Sequence, residues 1–346
     1  MRKLPSSLIL LVLICITSSL YSQSVAYDST TTIFQFLQQE KISTLTIHAN
    51  FHSIIQARKV SEEHNATILL PIAEDSLHEF NVKIRPRGMF RRKYCEVPPL
   101  RLNFNKKDLR ALGLNGDFDK YKLVTHCMDD VAAEQVLLRE YWTYRLYNEI
   151  TPKSFQVHLI KVKYINTESP DKSEERFGFL IENNEELGDR LGGEPVEPYG
   201  LKSTDVNRTT QQNMTVFNYL IGNLDWKLAH RKNLKFFKHP DEGMLVVPYD
   251  FDMSAMVWPS YARLNPDYKQ ERFEDRFCLG TFESKASLDQ TLTTFRNAKE
   301  SYKEQLKNCT LLNSISKRAM LSYLSSFYYV LDKEKRIKKA FYSSIE

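Results

Sequence analysis

The sequence is poor in the features that mark the commonest kinds of site. None of its five cysteines stand in Cys-x-x-Cys spacing, which argues against a zinc knuckle. Glycine (11) and proline (13) are scarce for 346 residues, and no internal period or low-complexity tract occurs, so glycine-rich repeats and fibrous or disordered chains are excluded. A phosphate-covering loop of the G-x-G-x-x-G kind is absent. Beyond the amino terminus no apolar run is long enough to span a bilayer. Charge is not lopsided either: the formal net charge is +5, and the basic residues are interspersed with acids instead of forming a patch. Nucleic acid is therefore not an expected partner. The densest basic stretch, "DKEKRIKKAFYSS", reads as a solvated helix face.

What is present is ample material for a core: 42% of the residues are hydrophobic, and the length suits one large bilobal domain or two small ones. The first 26 residues have the layout of a secretory signal. Arg2 and Lys3 precede the apolar run "LILLVLICIT", and small and polar residues follow to Ala26. An uncleaved anchor is the alternative; Ile14, before Cys15, stands where a lipid-attachment signal wants a small residue. The expectation is a secreted, periplasmic or cell-surface protein with no membrane span once the signal is removed. Four cysteines then remain, at 95, 127, 278 and 309, which permits up to two disulfides or a set of free buried thiols. If bridged, Cys95 is expected to pair with Cys127.

Alternation of apolar and polar residues, with β-branched and aromatic enrichment, marks strands at "TLTIHANF", "ATILLPI", "HEFNVKIRPRG", "PPLRLNFN" and "YKLVTHC". Leu138, Trp142 and Leu146 recur every four residues in the helix that follows, capped by Asp129 or Asp130. Two more strands, "FQVHLIKVKYI" and "ERFGFLIEN", come next. The stretch from Glu185 to Thr210 has turn composition and reads as a crossover, after which the pattern turns mostly helical. This order predicts an α+β bilobal protein: a β-rich lobe with one main helix over 27–183, and a mostly helical lobe over 184–346.

Residues 222–257, "GNLDWKLAHRKNLKFFKHPDEGMLVVPYDFDMSAMV", carry the chemistry. "NLKFF" and "MLVVPYDF" flank the short turn "KHPDEG" and should pair as a hairpin, bringing Asn233 near Asp250 and Asp252. Asp250 and Asp252 are two residues apart, so both face one side if the strand persists. Carboxylates and an amide oxygen converging there repel one another unless a cation lies between them, and oxygen ligands favour magnesium or manganese. Asp225 follows the helix "TVFNYLIGNL" and faces the same place. The plainer readings are turn or helix-terminal carboxylates for Asp225, Asp250 and Asp252, a structural role for His230, and a packing anchor for Trp226.

This segment resembles the catalytic segment of the spore-coat protein H (CotH) family, atypical secreted kinases with a protein-kinase-like fold. "VKIRPRGMFRRKYCEVPPLRLNF", "KLVTHCMDDVAAEQVLLREYWTYRLYNEI" and "FGFLIENNEELGDRLGG" resemble its upstream strands, helix and hinge, so the likeness runs through most of the mature chain at low similarity. The resemblance implies Asp225 as catalytic base, Asn233 and Asp250 as metal ligands with Asp252 beside them, and ATP with Mg²⁺ or Mn²⁺. Asp225 and Asn233 are eight residues apart, against five in the ordinary kinase loop, which sets this chain apart from ordinary protein kinases. Arg85, Arg87 and Arg101 become candidates for the nucleotide phosphates, since a guanidinium can fork onto two oxygens. Glu134, on the helix face of Leu138 and Trp142, is the first candidate to orient one of these cations, and Glu140 the second.

The implied activity is phosphoryl transfer from a nucleotide to hydroxyls of an exported protein or glycan. A catalytically inactive pseudokinase or cell-surface scaffold, and a metal-dependent glycosyltransferase using Asp250 and Asp252, are the alternatives.

Overall fold

The computed structural model describes residues 30–346 apart from 40, 41, 74, 75, 129 and 172. The expected signal segment, Cys15 and Asp129 lie outside the described residues. In chain order the elements are α1 (Ile33–Gln38), β1 (Ser43–Ala49), α2 (Phe51–Gln56), β2 (His64–Ala73), β3 (Ser76–Pro86), α3 (Arg91–Tyr94), β4 (Leu100–Phe104), α4 (Lys106–Ala111), β5 (Lys120–Val124) and α5 (Val131–Ile150). There follow β6 (Val157–Asn166), β7 (Ser173–Ile181), α6 (Asn184–Leu191), β8 (Glu194–Val196), α7 (Arg208–Ile221), β9 (Leu234–His239), β10 (Gly243–Pro248), α8 (Lys285–Asn297), α9 (Lys299–Asn308), α10 (Ser314–Leu331) and α11 (Glu334–Phe341).

Seven strands close into a barrel in the order β1-β2-β3-β4-β5-β7-β6. All neighbours are antiparallel except β1 and β6, whose parallel pairing (Ser43 opposite Ile160) closes the ring. The period of two along each strand divides the residues between two environments. Ile84, Leu102, Leu123, Val162 and Leu180 fill the barrel, together with Phe34 and Leu37 of α1. Their sequence neighbours face outward. On β5, β6 and β7 these are Val124, Leu159, Phe179 and Ile181, which pack under α5. On β3, β4 and β5 they are Arg85, Arg101 and Lys122, which lack such a cover.

Helix α5 is the joint between the two halves of the chain. Asp130 caps it, accepting from Ala133 N–H at 2.6 Å. Its Leu137, Leu138 and Leu146 belong to the same core as Val216, Phe217 and Leu220 of α7, Leu245 and Val247 of β10, and Phe295 and Phe327 of α8 and α10. The bilobal, protein-kinase-like architecture expected from the order of elements is thus corrected. The strands form a closed mixed barrel, and one continuous apolar core runs from the barrel wall into the helices. Local alternation marks a strand but carries no information on a parallel pairing between segments about a hundred residues apart, and it is this pairing that closes the ring. The expected crossover is also partly helical: Asn183 caps α6, and Gly192 ends it in the left-handed conformation (φ 70°). The hairpin is found as expected, β9 with β10, and β8 adds a third strand to it. Among the described residues no helix is long and apolar enough to cross a membrane.

Glu186 of α6 fastens α1 to the barrel. It accepts from Thr32 Oγ1 at 2.5 Å and from the Tyr121 hydroxyl at 3.0 Å. Burial pushes its carboxyl up to about 7, against the pull of those two hydrogen bonds. A raised carboxyl favours its protonated form, so its contribution to stability is full below the unfolded value of 4.5 and is lost as pH rises through about 7. Glu186→Gln should therefore flatten the fall in unfolding free energy between pH 4.5 and 7.5 by on the order of 2 kcal/mol, as read by urea titrations at stepped pH.

Candidate active site

Three cations stand abreast on the outer wall of the barrel. Arg85 of β3 lies directly opposite Arg101 of β4, which lies opposite Lys122 of β5. Arg87 extends the row, its N–H donating to Pro99 O at 2.8 Å and so continuing the ladder past the end of β3. Like charges in register destabilise a sheet, because their Cβ atoms are only about 5 Å apart. Little on the protein side offsets this: Arg85 donates to Ser61 Oγ (3.1 Å), and Lys122 to Asn184 Oδ1 (3.3 Å). The Lys122 ammonium also lies 4.8 Å from the Tyr249 ring centre and 5.2 Å from that of Phe155. Burial first, then Arg87, Lys235 and Arg101, push the Lys122 ammonium well below the usual lysine range, while Asp250 opposes them. Such a row calls for an anion.

Asp250 faces this row from the turn after β10. The strand ends at Pro248, so the period of two does not carry through to residue 252. Phe251 is fully buried against Tyr144 and Phe217, at ring-centre distances of 4.6 and 5.5 Å. This anchor sends its two acidic neighbours to different surroundings. Asp250 takes a left-handed backbone (φ 64°) and donates its N–H to the Tyr144 hydroxyl at 2.7 Å. Asp252 is buried, accepting from the Tyr261 hydroxyl at 2.8 Å, with Arg91 Nη1 at 3.8 Å. Burial, then Asp250, raise its carboxyl to about 6.

The Asp225 loop is stitched to that turn at both ends. Gly222 ends α7 at φ 64°, where a Cβ would stand 2.1 Å from the Tyr323 hydroxyl; Ala255 N–H donates to Gly222 O, and Asn223 bridges Ser254. At the other end Tyr249 N–H donates to Asn233 O at 3.1 Å. Between them, buried Asn223 donates to Asn218 Oδ1 and accepts from Asp225 N–H, both at 2.9 Å, which fixes where Asp225 begins. The Asn233 amide donates to Asp225 Oδ2 (2.8 Å) and to Asp225 O (2.6 Å). Lys232 Nζ lies 2.5 Å from the other carboxylate oxygen. With one carboxylate oxygen on Asn233 and the other on Lys232, Asp225 lines a cavity of about 300 Å³ together with Lys232, Met253, Arg263, Asp267 and Phe273.

The acidic residues of α5 part company. Glu134 accepts from Phe177 N–H at 3.1 Å and so braces β7, while Glu140 binds a cation that the sequence reading did not single out, Arg91 of α3, at 3.0 Å. Burial raises the Glu140 carboxyl to about 8 despite Arg91. His230 stacks on Tyr199 (5.7 Å, 8° between planes), and Trp226 packs with Met214, Leu234 and Phe236. Four contributors were missed: Lys122, Arg91, Lys232 and Asn223. Lys122 alone had a signal, since alternation in "YKLVTHC" turns it to the polar face; its place beside Arg101 depends on strand register.

Asn233 and Asp250 are the residues that could hold a magnesium or manganese ion. With its amide nitrogen engaged by Asp225, the Asn233 oxygen is left as acceptor, and the left-handed backbone at both residues (φ 55° and 64°) is one that Asn and Asp tolerate. Among the described residues no three His, Cys, Asp or Glu side chains converge as a complete cage. Two protein oxygens with the rest from phosphates and water is the usual arrangement for magnesium at nucleotides. Asp252, held by Tyr261 and Arg91, is a support for the turn in this geometry. No protein-family model and no curated protein matches the chain.

Lys122→Met should relieve the row. Unfolding free energy in phosphate-free, low-salt buffer should stay level or rise by roughly 0.5–1 kcal/mol, while stabilisation by added pyrophosphate should fall. Urea titrations with and without pyrophosphate read both.

Proposed function

We propose that the chain transfers the terminal phosphoryl group of a nucleotide to a hydroxyl, with chemistry of the kind the spore-coat protein H resemblance implies. The observation that carries this reading is the in-register row Arg85–Arg101–Lys122, set opposite Asp250 with Asp225 and Asn233 alongside. Cations so placed fit the oxygens of a polyphosphate, and guanidinium groups can each fork onto two of them. Asn233 and Asp250 would hold a divalent ion, which when bound neutralises charge on the phosphates.

The acceptor enters through the cavity beside Asp225, which orients the hydroxyl and takes its proton as the new oxygen–phosphorus bond forms. The bond to the bridging oxygen breaks, and the nucleoside diphosphate leaves with that electron pair. Lys232, ion-paired with Asp225, is placed to follow charge on the moving group. Catalysis here is a matter of positioning and charge. A glycosyltransferase reading draws less support, because Asp252 is already engaged by Tyr261 and Arg91. The reading places the protein outside the cytoplasm, in an oxidising compartment, and the bond between Cys95 and Cys127 supports that placement.

ATP with Mn²⁺ should raise the melting temperature of the protein, and labelled phosphate should appear on an exported acceptor. Asp225→Ala should lower transfer by about 10²- to 10⁴-fold while keeping the nucleotide-induced shift. Undiminished transfer in that variant, or no thermal response to any nucleotide, contradicts the reading.

A further inference from the structure

We propose that Arg91 is a positioning residue for the Asp250 turn, and that the Cys95–Cys127 cross-link is what keeps it there, so that metal binding at the site depends on the disulfide. This rests on the phosphotransfer reading.

Arg91 opens α3, a single turn of four residues with no side-chain cap. A helix that short has no stability of its own in water. It is held from outside. Cys95, at its carboxyl end, is bonded to Cys127, whose carbonyl accepts from Val97 N–H at 3.1 Å. Arg58 donates to Cys95 O at 2.7 Å, and the Phe90 and Tyr94 rings each lie 5.4 Å from Tyr261. Since Phe90, Met89 and Tyr94 are substantially exposed, the segment is anchored at two buried points, Arg91 and Cys95, and the disulfide makes the second of them covalent.

Arg91 itself is only 9% exposed, and it serves two buried carboxylates from different elements. Nη1 donates to Glu140 Oε2 of α5 at 3.0 Å and lies 3.8 Å from Asp252 Oδ2; Nη2 reaches Thr125 O at 3.4 Å. It therefore ties the rigid helix α5 to the turn that carries Asp250. Among the described residues Glu140 Oε1 has no hydrogen-bond partner, so Arg91 is the chief partner of that carboxyl group. With Arg91 withdrawn, Glu140 and Asp252 lose the donor they share between α5 and the turn, their buried oxygens are left without that partner, and the turn that carries Asp250 would shift. Reduction does this without mutation. A dithiol gives two electrons and two protons to the Cys95–Cys127 bond, two protein thiols form, the dithiol closes to its own disulfide, and α3 is released.

The test uses the full chain. Mn²⁺ binding in the presence of a non-hydrolysable ATP analogue is followed by the electron paramagnetic resonance of free Mn²⁺, with circular dichroism confirming the fold. Oxidised protein, dithiothreitol-treated protein, Cys95→Ser/Cys127→Ser, Arg91→Met and Arg91→Met/Glu140→Gln are compared. Reduction, the cysteine pair and Arg91→Met should each weaken Mn²⁺ binding by about 10- to 100-fold, the range for partners that orient a metal ligand. Glu140→Gln should restore most of the loss in Arg91→Met, because an uncharged amide brings its own N–H donors where the guanidinium is missing. That rescue separates positioning from general destabilisation. Folded Arg91→Met or reduced protein that binds Mn²⁺ as tightly as the oxidised wild type overturns the proposal alone. Wild type that binds no Mn²⁺ with the analogue overturns it together with the phosphotransfer reading.

Discussion

Three like charges held abreast on adjacent strands are the constraint on which the site is built. In an ordinary sheet, in-register cations are selected against, since neighbouring side chains cannot avoid one another. Here Arg85, Arg101 and Lys122 occupy an outward stretch of the β3–β4–β5 wall, away from the strands on which α5 packs. Their repulsion is a standing cost to the fold, relieved by Asp250 on the protein side and, in the proposed reaction, by polyphosphate. Stability given up at a site of this kind is the usual counterpart of binding.

The barrel and the helices have to be one body for that arrangement to be useful. Closure of the ring fixes the register of β3, β4 and β5, and hence the spacing of the cations. Helix α5 then carries the reference across: Tyr144 accepts from Asp250 N–H, Glu140 takes Arg91, and the apolar face packs on α7, whose end delivers Gly222 and Asn223. Left-handed backbone at Asn233 and Asp250 costs on the order of 1 kcal/mol each, and it is sustained by the hydrogen bonds that stitch residues 222–233 to 249–256.

Much of this was legible in the chain. Strands and the long amphipathic helix followed from periodicity, the β9–β10 hairpin from its turn residues, and the pairing of Cys95 with Cys127 appears as expected. Of Asp225, Asn233 and Asp250, singled out together in the sequence, the first two are hydrogen-bonded, and Asn233 O accepts from Tyr249 N–H, the residue before Asp250. What stayed hidden depends on contacts distant in sequence. Alternation could not reveal the β1–β6 closure, nor that Lys122 stands beside Arg101. A pair of carboxylates two residues apart reads as one-sided, but the strand stops at Pro248, before either of them, and Asp250 and Asp252 sit in a turn around buried Phe251 with separate partners. Arg91 sits among other cations in "FRRKYC", and only its burial against Glu140 and Asp252 distinguishes it from its neighbours Arg92 and Lys93.

The most direct measurement is anomalous diffraction from crystals of the oxidised protein grown with Mn²⁺ and a non-hydrolysable ATP analogue. A manganese peak within bonding distance of Asn233 Oδ1 and an Asp250 carboxylate oxygen, with analogue phosphates on Arg85, Arg101 and Lys122, is the expected result. Manganese bound elsewhere, or an analogue that leaves the row of cations bare, would contradict it.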